Sequence, residues 1–311
     1  MKQHYLPKFY LDGFTEPHAE KLRTPYCWLY YRCEGRWKKR APKNIATKTD
    51  LYSITDDEGT RHDELEKFLS SVESQTAKIM ASVIAKGRKL EGEDRQWLAL
   101  FIAVMFNRLP AYLDQWVQSI IQVETSRMEL LRGHPLAFYA LKKQYEHKTG
   151  KKLPDSFGPE HLDPKRYKIV PSKEFVLSLA LSPVNLMAKV LADMSWTLLS
   201  APGDSAFVTS DYPSCAVNPR LQGTPYGPGL LQRNVELTLP ISRTIAMVIA
   251  WGGKRSCYLE ATPPQVREVN IRTISGASEF IVSPTRDFPG TDMLTRWADA
   301  RGEDAENTEA K

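Results

Sequence analysis

Cysteine is scarce in this chain: four in 311 residues, Cys27, Cys33, Cys215 and Cys257, with no C-x-x-C pair among them. That spacing argues against a zinc ribbon or a dithiol redox motif, and reduced thiols are the simplest expectation. No run approaches the roughly 20 apolar residues of a membrane span. The apolar opening is too short and too interrupted by Lys2, Lys8 and Asp12 for a signal peptide. A cytoplasmic protein with no membrane partner is therefore expected. Also missing are GxxxxGK[ST], a GxGxxG with a suitable acid after it, HExxH and GxSxG. Hydrolysis by a phosphate loop, zincin proteolysis and α/β-hydrolase chemistry lose their support with them. No internal repeat is apparent.

What is present is an ordinary globular composition, 42% hydrophobic and 25% charged, with enough chain for one large domain or two small ones. Lys and Arg number 42 against 37 Asp and Glu, a net +5. The last thirteen residues hold five acids and two bases, so the rest of the chain carries +8. That acidic tail lacks apolar periodicity and is expected to be disordered. Part of the basic excess is local. Arg36, Lys38, Lys39, Arg40 and Lys43 fall within eight positions beside Trp37, a candidate nucleic-acid contact or a solvated loop between strands.

Along the chain, Tyr26–Arg32 is aromatic-rich and reads as a strand, Glu34–Arg36 as a turn, and Trp37 as the start of a return strand. Leu51–Ile54 is a further short strand, ended by Asp56–Gly59. From Asp63 the period becomes helical, with Leu65, Phe68, Leu69, Val72, Thr76, Ile79, Met80 and Val83 on one stripe. A second helix follows Gly92 and is apolar on every side through Phe106, as a central bundle helix would be; Pro110 kinks or stops it. Amphipathic helix continues through Trp116 and Ile120, and another follows Pro135. Ser172–Leu199 reads as helix broken at Pro183. Strands are expected at Ala206–Thr209, Val235–Leu239, Thr244–Ile249 and Glu279–Ser283, and a helix from Thr262 to about Ser275. Strands, then helices, then strands make an α+β protein: N-terminal strands, a central helical bundle and mostly antiparallel C-terminal strands. The expected organisation is one domain over 1–287, with regions 1–60, 63–199 and 200–287, and a flexible tail over 288–311.

Polar residues beside apolar surface are the candidates for chemistry. Glu66 and Glu73, seven positions apart, share one face of the first long helix at the edge of its apolar stripe. A carboxylate there needs a cation, a donor or a metal. Arg108 ends an apolar helix, so its guanidinium is expected near the interior, paired with Glu66 or Glu73 or held for phosphate. His4 leads into the apolar-aromatic run Tyr5–Phe14, an odd setting for a terminus. Asp211 follows a strand and comes two residues before Pro213, where an Asp closes an Asx turn or presents an active group at a strand end.

The opening QHYLPKFYLDGF resembles the signature of an uncharacterised bacterial family, the domain-of-unknown-function family numbered forty-two thirty-eight. The likeness continues through Leu51-Tyr52, Leu65-Glu66 with Glu73, Arg108-x-Pro110, Thr209-Ser210-Asp211-x-Pro213 and Leu239–Ser242, over roughly the first 285 residues. Tyr212 departs from the commoner Asn. No reaction is established for the family, but its association with defence against phage implies a nucleic-acid or nucleotide target. Two readings follow. In one, His4, Glu73, Arg108 and Asp211 are catalytic, and Glu66, Glu73 and Asp211 hold Mg or Mn, in a metal-dependent phosphodiesterase or nuclease. In the other, the same residues form a structural polar network in a non-catalytic sensor or binding protein, and the Arg36–Lys43 segment contacts nucleic acid or a partner.

Overall fold

A computed structural model describes residues 2–19, 21–55, 60–84, 90–218, 220–221, 228–253 and 255–299. The turn expected at Asp56–Gly59 and the tail beyond 299 lie outside these residues. The chain forms two compact units, one from residues up to Ala111 together with those from Leu181 onward, the other from Tyr112 to Ala180.

In the first unit the N-terminus is pinned from its second residue. Lys2–His4 pairs antiparallel with Thr47–Thr49, Gln3 opposite Lys48. The chain then enters the short helix α1 (Lys8–Asp12), and the apolar residues at helical spacing around it, Leu6, Tyr10, Leu11 and Phe14, are wholly buried. A four-stranded antiparallel sheet runs Arg36–Arg40, Cys27–Tyr31, Phe280–Ser283, Thr209–Ser210, with the basic strand at its edge. A five-stranded sheet runs Ser256–Glu260, Ser195–Ser200, Ile245–Ala250, Glu236–Pro240, Cys215–Val217. All its pairs are antiparallel except that of Ser256–Glu260 with Ser195–Ser200.

The helices α2 (Glu64–Ile79) and α3 (Gly92–Asn107) follow the expected patterns. On α3, Leu98 through Met105, apart from half-buried Leu100, is at most 1% exposed, which agrees with a helix apolar on all sides. On α2, Phe68 leaves the expected stripe and is exposed, whereas Glu66 and Glu73 do lie at its half-buried edge.

The stretch 172–199 breaks at Pro183 into α6 (Lys173–Leu181) and α7 (Val184–Asp193), numbered after α4 (Pro110–Gly133) and α5 (Pro135–Thr149). Its end is strand, not helix. The cause is Arg95, which is 1% exposed. Its guanidinium donates to the carbonyls of Ala192 at 2.7 Å, Arg255 at 3.0 Å and Met194, and stacks 4.0 Å from the Trp196 ring. It thereby satisfies carbonyls that the end of α7 releases and starts the strand Ser195–Ser200. The span Lys173–Asp193, with mean hydropathy 1.7, is long and apolar enough to cross a membrane by length and composition alone. In this fold it is two helices, and α7 packs along α3.

The last helix, α8 (Pro263–Gly276), starts as its sequence predicts: Pro263 is at its first position, and the Gln265 side chain accepts the Thr262 N–H at 2.8 Å. Beyond it, residues 288–299, assigned to the flexible tail from sequence, are instead packed. Phe288, Leu294 and Trp297 bury themselves with Tyr30, Val208, Ile274 and Ile281. Their apolar side chains are spaced among Pro, Gly, Thr and Asp, so no period announces them.

The second unit is helical through α4, α5 and α6. Gly150, with φ of +68°, ends α5 in the left-handed conformation that glycine adopts freely, and its N–H bonds the Glu146 carbonyl. A cleft of about 420 Å³ lies between the end of α4, α5 and residues 153–162, lined by Leu131, Phe138, Leu141 and Phe157.

Candidate functional site

The opening motif, the Leu51-Tyr52 segment, α2 and the end of α3 meet in one polar network. Gln3, 8% exposed, donates through Nε2 to Glu66 Oε1 at 2.6 Å and Ser53 Oγ at 3.1 Å. Its Oε1 accepts the Tyr52 N–H at 2.8 Å. The Tyr52 hydroxyl donates to the Arg108 carbonyl at 2.9 Å, a carbonyl left over at the helix end.

Arg108 is the centre of this network, with 1% of its side chain exposed. Its Nε donates to the Tyr5 carbonyl at 3.1 Å and its Nη1 to Glu73 Oε1 at 2.7 Å. Of the two expected carboxylate partners, Glu73 pairs with it and Glu66 goes to Gln3. His4 adjoins the pair and feels both its charges. Burial lowers the pKa of its imidazole, so the ring stays neutral more readily than an exposed histidine. One ring nitrogen takes the Lys43 carbonyl. The other, Nε2, is buried with no hydrogen-bond partner among the described residues, as is Nη2 of Arg108.

Asp211 belongs to a different arrangement. Its carboxylate accepts the N–H groups of Ser278 at 3.1 Å, Glu279 at 3.0 Å and Phe280 at 3.4 Å, tying the end of α8 to the strands Thr209–Ser210 and Phe280–Ser283. The local turn is made instead by Ser210, whose Oγ bonds both the N–H and the carbonyl of Tyr212. Burial pushes the Asp211 carboxyl up to about 6, against the opposite pull of its three donors. It acts on the Arg108 network electrostatically through Tyr5, whose phenol is raised by burial and then by Asp211 and Glu279.

Glu66, Glu73 and Asp211 thus each answer to separate protein donors. Among the described residues, no three His, Cys, Asp or Glu side chains gather as a metal would require. Sequence reasoning also passed over Tyr10. Its buried hydroxyl lies 2.7 Å from Thr209 Oγ1 and donates to the Pro240 carbonyl at 2.7 Å, joining three motif segments. The signal was an aromatic with a polar tip inside an apolar run, which must find a partner when buried.

The basic segment is likewise divided. Arg36 and Lys38 both bond Glu34 across the hairpin turn, and Arg40 donates to the Lys39 carbonyl at 3.3 Å. Lys39 points to the other face of the edge strand. Its ammonium stands 4.4 Å from the Tyr26 ring and 4.8 Å from the Trp28 ring, and Arg286 stands 4.9 Å from Trp28. The two half-buried rings meet edge to face at 5.8 Å.

A family model described as a protein of unknown function, DUF4238, matches residues 2–287. No curated protein and no solved structure matches the chain.

Proposed function

We propose a binding role for this chain, which belongs to the DUF4238 family: contact with single-stranded nucleic acid through the end of its N-terminal hairpin that carries Tyr26, Trp28 and Lys39. The observation that carries the reading is the juxtaposition of Tyr26 and Trp28 with the cations Lys39 and Arg286. Aromatic rings offer bases a stacking surface that is indifferent to sequence, and neighbouring cations take the phosphates. Exposed Arg40 and Lys43 extend the positive charge along the same segment. A phage-defence setting for the family would fit such a target. The carboxylates counted on for metal-dependent phosphoryl chemistry already serve Gln3, Arg108 and the Ser278–Phe280 backbone, which favours binding over hydrolysis.

The test is fluorescence anisotropy with labelled single-stranded DNA and RNA across a salt series. Each phosphate contact contributes about −0.7 to the slope of log K against log salt. Lys39→Ala with Arg286→Ala is expected to flatten the slope by about 1.4. Trp28→Ala is expected to cost about 1–3 kcal/mol of binding with the slope little changed. Failure of the wild type to bind either strand at low salt would refute the reading.

A further inference from the structure

We infer a ligand site in the second unit: the cleft between the end of α4 and α5 takes a medium-chain carboxylate, its alkyl chain among leucines and its carboxylate on Lys142. The cleft, about 420 Å³, is lined by Met128 and Leu131 of α4, by Phe138, Leu141 and Tyr145 of α5, and by residues between 153 and 162. All of these lie within the unit Tyr112–Ala180. Ligand pockets commonly begin at about 300 Å³ and are mostly apolar with a few convergent polar groups.

Helical period builds the wall. On α5, Phe138, Leu141, Lys142, Tyr145 and Lys148 recur at three- and four-residue steps and so share one face. Phe138 is buried, whereas Leu141 and Tyr145 on that face stay 41% and 42% exposed, so the apolar wall is open to a guest. The segment opposite is held in place by its own contacts. The Leu153 N–H bonds Glu146 Oε1 at 2.9 Å, and the Phe157 ring meets Phe138 at 5.8 Å.

Charge selects the ligand's head. Arg127, Lys142 and Lys148 line the cleft, and no acidic residue does. Arg127 is already answered by Glu124 at 3.0 Å. Lys142 is half-buried, and its ammonium donates to the carbonyls of Pro154 at 2.7 Å and Phe157 at 3.3 Å. Among the described residues it has no carboxylate partner. An ammonium has three donors, so the two carbonyls fix its place and leave one N–H for an anion. A cation partly withdrawn from water gains from that partner; a neutral head brings less and a cationic head is repelled. The other lining residues select the body. Phe157 stacks on His161 at 5.3 Å and meets Phe138 at a 45° tilt, so the rings serve each other rather than stand parallel around a flat guest. Leu131, Leu141, Leu153, Leu162 and Met128 suit a flexible chain instead. At roughly 30 Å³ for each packed group, a water's share of the liquid, the cleft has room for about fourteen non-hydrogen atoms, which decanoate fits.

Octanoate, decanoate, octan-1-ol and octyltrimethylammonium, each kept monomeric in solution, are titrated into the full chain by ligand-observed NMR. Decanoate is expected to bind about fifteenfold tighter than octanoate, two methylenes' worth. Octanoate should bind about tenfold tighter than octan-1-ol, the worth of a charge-assisted hydrogen bond. Lys142→Met, which keeps the stem but not the ammonium, should bring octanoate and octan-1-ol within about twofold. If Lys142 only braced the segment opposite, both would weaken alike and their ratio would stand. Leu141→Glu, which sets a like charge at the exposed mouth, should weaken decanoate about tenfold, and thermal unfolding checks that both variants fold. The inference fails if decanoate does not bind the wild type, if octan-1-ol or octyltrimethylammonium matches octanoate, or if octanoate keeps its advantage in Lys142→Met. Capture of the chain by phosphatidylcholine–phosphatidylglycerol vesicles, with decanoate unable to compete, would equally overturn it in favour of a lipid surface.

Discussion

Removing the carboxylate of Glu73 leaves the Arg108 guanidinium buried with, among the described residues, one neutral acceptor, the Tyr5 carbonyl. Breaking a fully buried pair in this way costs about 3–5 kcal/mol. Here one partner is 29% exposed, so water can replace part of the lost interaction and about 2–3 kcal/mol is expected for Glu73→Ala. Glu73→Gln keeps an acceptor and loses only the charge assistance, at about 1 kcal/mol. The double variant Glu73→Ala with Arg108→Met removes both charges. It should cost less than the sum of the single variants by about 1–2 kcal/mol. Urea unfolding measures these values, and hydrogen exchange at the Tyr52 amide, held by Gln3 at 2.8 Å, reports the same loss locally. A Glu73→Ala protein within about 0.5 kcal/mol of wild type, or strict additivity in the cycle, would refute a structural role for the pair.

Other consequences concern pH and single bonds. Burial lowers the His4 pKa below 6.5, so the stability tied to its neutral ring is complete above that pH and is lost as pH falls through it. His4→Phe should flatten that acid-side loss in unfolding measured across pH. Asp211 has the opposite sign. Raised from 3.8 to about 6, it contributes stability that is full below 3.8 and lost as pH rises through 6, worth about 3 kcal/mol at most. Asp211→Asn should remove that slope, and an unchanged profile would count against it. Tyr10→Phe, which strands Thr209 Oγ1 and the Pro240 carbonyl, should cost about 1–3 kcal/mol by urea unfolding. At Gly13 an added Cβ would stand 3.1 Å from the Tyr10 carbonyl and 3.2 Å from that of Ile241. Gly13→Ala should therefore destabilise by about 1–3 kcal/mol, whereas Gly133→Ala, with open space around it, should be neutral or stabilising.

What could be read in the sequence followed from local period. The α3 run, the α2 stripe apart from Phe68 and the Cys27–Arg40 hairpin have side-chain patterns that burial requires, and the structure has them. The strand Ser195–Ser200 was hidden because Trp196, Leu198 and Leu199 extend the apolar run of α7. Arg95, a hundred residues away, is what ends the helix there. Ser256–Glu260 gave no signal because its residues are half-buried or exposed on a parallel sheet edge.

The candidate site divides in the same way. That Glu66 and Glu73 sit at the edge of an apolar stripe followed from spacing, and that Arg108 lies near the interior followed from its place at the end of an apolar helix; the structure has both. Their partners did not follow. Gln3 reaches Glu66 across 63 positions and Asp211 reaches Ser278 across 67. No local pattern records such distances. The five-residue basic cluster looked uniform in sequence, yet strand alternation turns Lys39 to the aromatic face while Arg36 and Lys38 go to Glu34.

The most direct measurement is photocrosslinking of a single-stranded RNA carrying 4-thiouridine, followed by mass spectrometry of the attached peptides. Attachment at Tyr26 or Trp28, competed by unlabelled strand and lost with Lys39→Ala and Arg286→Ala, is the predicted result. Crosslinks confined to other surfaces, or unaffected by removing those two cations, would contradict it.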